Sequence, residues 1–338
     1  MAVSIALLWW SLHDVDLGEL WARLRGVHVL PLLAAVAVVT LSFPVRTIRW
    51  RYLLRSEGSA LPFMPLWHAT AIGFMANNLL PARAGELARA YAARKLTGVR
   101  FSTAFASIAV ERMLDGITLV ALLTVAIWAG GFAPGTTVGG MTLVGVARGA
   151  GIFFSVLLAV ALFLVHWPGP AMRIARRTTH AVLPQRWAAR TMDILEGMLW
   201  GLDALRRPGS FLVVMFWSFA VWLMASASFW LAFRAFDIEV PWSAALLLQC
   251  LISFGVAIPS SPGFFGPFEA VTRVTLALYG IEASRAVSYA VGYHLSTFVP
   301  ITVLGIWSLS RAHLHLADLR AAEANEGGIA DPQAAPDA

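Results

Sequence analysis

Segments of about 17 to 28 residues with few or no charges recur along the chain, at 29–45, 101–128, 143–165, 211–236 and 286–309. A helix of that length crosses a hydrocarbon core of about 30 Å. In lipid, only helices and closed barrels satisfy all their own backbone polar groups. Composition agrees: 59% of the 338 residues are hydrophobic and 13% charged, where a soluble domain carries roughly 25% charged residues. A soluble enzyme is excluded. The expected fold class is all-α, a polytopic helical membrane protein with about six spans. The first of these, at 1–12, is short of a full crossing, so it is tilted or partly interfacial, or the true start lies upstream. It has no basic leader region or convincing cleavage site, so no removed signal peptide is expected.

Charge placement orients the chain. Twenty-five basic residues, all Arg except Lys95, face nineteen acids. Arg suits bidentate phosphate recognition and partly buried ion pairs; a genome biased toward Ala and Arg is the other source of such an excess. The bases sit beside spans, so nucleic acid is not an expected partner. By the positive-inside rule, the loops 46–57 and 168–209 and the stretch from Arg311 are cytoplasmic. The uncharged linker 129–142 and the acidic turn 237–239 lie outside. These sides require an even number of crossings, or none, between 58 and 100 and again over 242–279. Two oppositely oriented re-entrant helical hairpins, near 63–96 and 242–279, meet that condition, as do two short full crossings at each place. One hairpin per half (1–142 and 143–316) predicts an inverted-topology repeat, echoed in Leu80-Pro81-x-x-x-Gly85-Glu86 and Pro262-x-x-x-Gly266-x-x-Glu269. Such discontinuous elements mark the substrate site of many transporters. Within 168–209 an amphipathic cytoplasmic helix is expected, from Met192, Leu195, Leu199, Leu202 and Leu205 at helical spacing. The acidic tail 317–338 is expected to be disordered.

Glu111-Arg112-x-x-Asp115 falls in the middle of the 101–128 span. Each charge there costs roughly 2.5–3.5 kcal/mol, so all three must face the bundle interior. Arg112 and Asp115, three apart, can neutralise each other, leaving Glu111 for Arg83 or Arg89. The network is either structural or part of a substrate or proton pathway. At the first hairpin tip, Pro81 opens a helix whose free N–H groups make an anion site. Arg83 stands beside it, with Glu86 and Arg94 on one side, Arg89 near the edge and Asn78 just before. A solvated amphipathic helix is the alternative. At the second tip, three Pro and two Gly over 259–267 leave backbone groups that lipid cannot satisfy. Ser260 and Ser261 offer hydroxyls there, and Glu269 and Arg273 are spaced to pair. A kinked external loop is the alternative. In the last span stand Tyr293 and His294, the latter a proton relay or a hydrogen-bonded packing residue. Cys250, the single cysteine, reads as a packing residue. Metal-ligand spacings and nucleotide or nucleophile motifs are absent from the sequence. No cofactor is expected beyond a coupling proton or cation, and no ATP hydrolysis.

Four motifs combine here: Arg49-Trp50-x-x-Leu53-Leu54, Asn78-Leu79-Leu80-Pro81-Ala82-Arg83-Ala84-Gly85-Glu86, Glu111-Arg112-x-x-Asp115, and Pro259-Ser260-Ser261-Pro262-Gly263-Phe264-Phe265-Gly266-x-Phe268-Glu269. Together they resemble the lysylphosphatidylglycerol synthase transmembrane region, or flippase-like domain family, over roughly residues 1–315. The resemblance implies an integral-membrane flippase-like domain over 1–316. In two-domain relatives this region translocates an aminoacylated lipid made by a soluble C-terminal synthase domain. Stand-alone relatives occur near polyprenyl-linked glycan pathways. Only a short polar tail follows Leu309, so aminoacyl transfer is not implied, and the short first segment departs from the family's full first helix.

The expected function is flipping of an anionic or polar lipid by alternating access: a phospholipid, an aminoacylated phospholipid or a polyprenyl-phosphate-linked lipid. The chain is not expected to be an enzyme. It is placed in the plasma or inner membrane with its C-terminus cytoplasmic. The candidate substrate-binding set is Asn78, Arg83, Glu86, Arg89, Glu111, Arg112, Asp115, Ser260, Ser261, Glu269, Arg273, Tyr293 and His294. The Arg residues would hold a headgroup phosphate, and Glu86, Glu111 and Glu269 would balance them and exchange protons or cations. Two rival readings remain. One is an intramembrane transferase on a lipid phosphate with Glu111 or Asp115 as base. The other is a non-catalytic partner of a separate lipid synthase or glycosyltransferase.

Overall fold

The computed structural model describes residues 2–54, 61–80, 84–185, 187–188, 191–192, 195, 208–256 and 261–319. In chain order the helices are α1 (Ala2–Leu12), α2 (Leu17–Arg25), α3 (Val29–Leu53), α4 (Phe63–Leu79), α5 (Gly85–Thr97) and α6 (Phe101–Ala129). There follow α7 (Leu143–His166), α8 (Pro168–Val182), α9 (Pro208–Ala235), α10 (Trp242–Gly255), α11 (Pro267–Ala277) and α12 (Ala283–Arg311). Helices α3, α6, α7, α9 and α12 are long and apolar enough to cross a membrane. The protein is an all-α, multi-pass membrane protein.

Hydroxyls inside these helices bond back to the preceding turn: Thr47 donates to the Phe43 carbonyl, Thr118 to Leu114 and Ser288 to Ser284. Polar side chains are thereby satisfied without leaving the helix. Helix ends follow local chemistry. Asp16 caps α2 by accepting the Gly18 N–H at 2.7 Å. Thr142 caps α7 through the Gly145 N–H at 3.0 Å. Gly98 ends α5 in a left-handed conformation (φ 75°), which glycine adopts without a Cβ penalty. The 129–142 linker contains a two-residue hairpin, Thr137–Val138 paired with Met141–Thr142, turned by Gly139-Gly140 at φ 56° and 82°.

The chain turns back between α4 and α5. Gly85 lies against Gly73 and Asn77, and Gly73 against Arg89, so the two helices run antiparallel. The α4 helix also packs on α12, where Gly305 meets Met75 and the Ala71 carbonyl. In the second half α10 and α11 are joined across 256–266, with Gly255 against Val271, and α1 packs on α11. The most extensive helix pair is α3 with α9. By contrast, α7 packs mainly on α6 and exposes Ile152, Phe153, Val156 and Val160 along its length. Helix α8 is amphipathic, with Arg173, Arg176 and Arg177 exposed. Met192 and Leu195 are described, but Leu199, Leu202 and Leu205 of the expected surface helix lie outside the described residues.

One expectation is corrected. Residues 46–54 are not a basic loop: α3 continues to Leu53 and buries Arg46, Arg49, Trp50 and Leu53. An apolar run followed by several Arg reads as a span and its anchor. Here those charges have carboxylate and aromatic partners inside the protein, which removes the reason for the helix to stop.

Candidate functional site

The centre of the molecule is an ion network between α3, α5, α6 and α9. The Glu111 Oε1 atom accepts from Arg89 Nη1 at 2.9 Å and Arg112 Nη2 at 2.8 Å and forms an ion pair with Arg49 Nη2 at 2.9 Å, and Oε2 accepts from Arg89 Nη2 at 3.1 Å. Asp115 accepts from Arg49 and from the Trp222 indole N–H at 2.8 Å, and pairs with the Arg112 charge at 3.3 Å. Arg49 also donates to Ser218 Oγ at 3.0 Å. Arg49 is 0% exposed and Glu111 1%. Such charges persist in a low-dielectric interior only when each is paired and hydrogen-bonded. Arg89 is further held 3.8 Å above the Trp50 ring, and Trp50 donates to Ser107 Oγ at 2.8 Å.

Arg46, one turn before Arg49, is different. It is 7% exposed, yet among the described residues it has no carboxylate partner. Its Nε reaches Ser42 Oγ at 3.4 Å, and its guanidinium lies 5.1 Å from the Phe74 ring and 5.6 Å from the Trp222 ring. Cation–π contact partly replaces water there.

A cavity of about 630 Å³ opens on this network. Its lining includes the polar Asn77, Asn78, Glu86, Arg89, Arg112 and Asp115 and the apolar Phe105, Met113, Phe153, Phe154, Leu157 and Phe254. Local sequence explains how the polar residues reach the cavity. The break after Leu79 lets Asn77 Oδ1 accept the Gly85 N–H at 2.9 Å, and Asn78 donates to Thr302 Oγ1 at 2.8 Å. Arg112 has 37% of its side chain exposed and spends only its Nη2 on the carboxylates. The cavity volume lies within the range of ligand sites, roughly 300–1,000 Å³.

A second buried pair sits at the start of α11. Glu269 Oε2 accepts the Gly266 N–H at 2.6 Å, which caps the helix that Pro267 opens. Its Oε1 lies 2.7 Å from His294 Nδ1, while His294 Nε2 donates to the Gly263 carbonyl at 2.8 Å. Phe265 and Phe268 sandwich the imidazole, with ring centroids at 4.5 and 4.4 Å.

A family model described as the lysylphosphatidylglycerol synthase TM region matches residues 1–305. This chain belongs to that family. Among its relatives are two UPF0104 membrane proteins of Methanothermobacter thermautotrophicus. One is 26% identical over 273 residues, 77% of each chain. The other is 23% identical over 307 residues, 86% of this chain and 87% of the relative. The glycosyltransferase AglD of Haloferax volcanii is 33% identical over 108 residues, 32% of this chain and 17% of that protein.

In this family member the expected residues divide. Asn78, Glu86, Arg89, Arg112 and Asp115 line one cavity, and Glu111 lies directly behind it. Arg83 and Ser260 lie outside the described residues. Glu269 and Arg273 do not pair: Glu269 is taken by Gly266 and His294, and Arg273 reaches the Trp10 carbonyl at 2.8 Å and Asp14 at 3.1 Å on the chain after α1. Their i, i+4 spacing was outweighed by stronger partners outside the helix. Ser261 spends its hydroxyl on the Phe265 carbonyl, and Tyr293 bonds Ser228 within the aromatic core, away from the cavity lining. Sequence reasoning missed Arg46, Arg49, Trp222 and Asn77. The signal for Arg49 was arithmetic: one Arg in the α6 triplet could not compensate two carboxylates.

Proposed function

We propose that the protein translocates a phosphate-bearing lipid across the membrane. The headgroup would cross through this cavity while the chains stay in contact with the bilayer. One observation carries the reading: a single cavity is lined both by guanidinium and carboxamide donors and by phenyl and aliphatic side chains. That is the complement of an amphiphile. Four Arg (46, 49, 89 and 112) stand around it against Glu86, Glu111 and Asp115, so the described groups leave one positive charge uncompensated. Arg112 Nη1 and the Arg46 guanidinium have hydrogen-bonding capacity left, and a phosphate oxygen is the acceptor such donors suit.

On this reading α4–α5 and α10–α11 are the paired elements whose rearrangement opens the cavity to one side and then the other, as re-entrant hairpins of an inverted repeat do. The span α7, held mainly by α6, would open the cavity laterally to lipid. On this reading the protein sits in the cell membrane, and the excess of Arg in its loops supports a cytoplasmic C-terminus. No covalent step is involved on this reading: Glu111 and Asp115 serve as acceptors in buried ion pairs, which suits them poorly to act as a base. The partial likeness to a protein named as a glycosyltransferase fits a cargo that a separate membrane enzyme makes or uses.

Mass spectrometry of lipids copurified with the native protein and with Arg112→Gln tests this. A phosphate lipid enriched in the native sample and depleted in the variant supports a headgroup site. Equal lipid in both would make the network a structural one and contradict the proposal.

A further inference from the structure

The Glu269–His294 pair has a property that its packing does not require. His294 Nε2 faces a carbonyl oxygen, so it carries a hydrogen, and Glu269 Oε2 faces an N–H, so it does not. At 2.7 Å, the Nδ1 and Oε1 atoms need one hydrogen between them. That hydrogen makes either an imidazolium–carboxylate or an imidazole–carboxylic acid pair, and it belongs to the two groups jointly. Without it, two lone pairs would face each other in a site where Glu269 is 1% and His294 7% exposed.

The pair also holds a turn of unusual backbone conformation. Residues 263, 264 and 266 all have positive φ (67°, 62° and 97°), and Phe264 is not a glycine. Gly263 and Gly266 are the two backbone groups bonded by the pair, and Phe264 between them lines the cavity.

We infer that Glu269 and His294 form a proton-binding site whose loading locks the 261–266 turn against the cavity. Losing the proton leaves the imidazole one hydrogen for two acceptors, so it bonds either Glu269 Oε1 or the Gly263 carbonyl but not both, and the turn that carries Phe264 is held by one bond fewer. The site stands without the translocation reading; its use to couple a proton to lipid movement rests on that reading.

The surroundings leave the pair to itself. Among the described residues, α1 supplies no ionisable side chain, α10 only Cys250, α4 only His68 and α9 only Arg234. On α11, Arg273 is held by Trp10, Ser11 and Asp14. On α12, Tyr293 bonds Ser228, Tyr289 points its hydroxyl to the Phe229 carbonyl, and Arg285 and Arg311 lie near its two ends. The charges of α3 are Arg46, Arg49 and Arg51; Arg49 belongs to the ion network, Arg46 lies beside it, and Arg51 reaches the Leu61 carbonyl. The Glu19 of α2 pairs with Arg23 and Ser284, and Arg25 of the same helix lies over Trp21.

Glu269→Gln is the decisive variant. Its Oε1 can accept the Gly266 N–H while its Nε2–H donates to Nδ1, a fixed copy of the loaded pair. His294→Phe keeps an aromatic ring between Phe265 and Phe268 and sets the released limit. Hydrogen exchange of the 261–269 segment is compared among the three full-length proteins at matched pH. The native protein should track Glu269→Gln at about pH 5.5 and exchange at least tenfold faster than it at about pH 8.5, shifted toward His294→Phe. A native protein that follows the same variant at both pH values overturns the inference. If only one variant folds, a constant ratio to it overturns the inference equally. Translocation of fluorescent phosphatidylglycerol, measured in parallel, separates the two claims. A switching turn with no lipid movement refutes the translocation reading alone, and lipid movement with no switching refutes the proton site alone.

Discussion

Arg49 is the residue on which the buried network depends most, because it alone touches both Glu111 and Asp115 from another helix with its full side chain withdrawn from solvent. Its planar fork reaches both carboxylates at once, and a lysine ammonium cannot reproduce that geometry. Asp115→Asn should therefore cost about 3–5 kcal/mol, the usual consequence of removing one member of a buried pair, read as a lowered unfolding temperature in detergent. Arg112→Gln should cost much less, since Arg112 is partly exposed and its carboxylate partners keep Arg49 and Arg89. An equal loss for both would mean that the network is not organised around Arg49. The α6 triplet was legible in the sequence because unpaired charges in mid-span are prohibitive. Arg46 and Arg49 were not, because basic residues after an apolar run have the same composition as a cytoplasmic anchor. Only a tertiary partner distinguishes the two cases.

At the scale of elements, close backbone approach sets the cavity's shape. A Cβ on Gly85 would meet the Gly73 carbonyl and the Asn77 side chain, and one on Gly73 would meet Arg89 Cβ at 2.8 Å and the Gly85 carbonyl at 2.9 Å. Gly85→Ala should thus spread α4 from α5 and destabilise the protein by about 1–3 kcal/mol, as overpacking does. Thermal unfolding with size-exclusion profiles checks this, and an unshifted, fully folded variant would show that the two helices are not held this closely. The two helix breaks were readable, since Pro81 and the Pro/Gly cluster at 259–267 interrupt otherwise apolar runs. The partners were not. That α4 lies along α12, and that Arg273 leaves Glu269 for the chain after α1, depends on long-range packing that spacing within one helix cannot encode.

Across the whole molecule, the apolar fraction and five long apolar runs already determined a helical membrane protein, and each run lies in a helix long and apolar enough to cross a membrane. Sidedness follows from loop charge and gives a separate prediction. In a Cys250→Ala background, a cysteine at Gly135 should react with a membrane-impermeant thiol reagent added outside intact cells. One at His313 should react only after the membrane is opened. The reverse pattern would invert the proposed orientation. What the sequence could not supply was the cavity, which exists only because six helices bring donors and phenyl rings to one space.

The most direct test of the account is lipid translocation by purified protein in vesicles, followed by quenching of headgroup-labelled phosphatidylglycerol from one side. The account predicts that native protein exposes inner-leaflet lipid to quencher, whereas folded Arg112→Gln slows this about tenfold or more, the scale expected for losing a charge-assisted contact. Native protein indistinguishable from empty vesicles, or Arg112→Gln as fast as native, would contradict it.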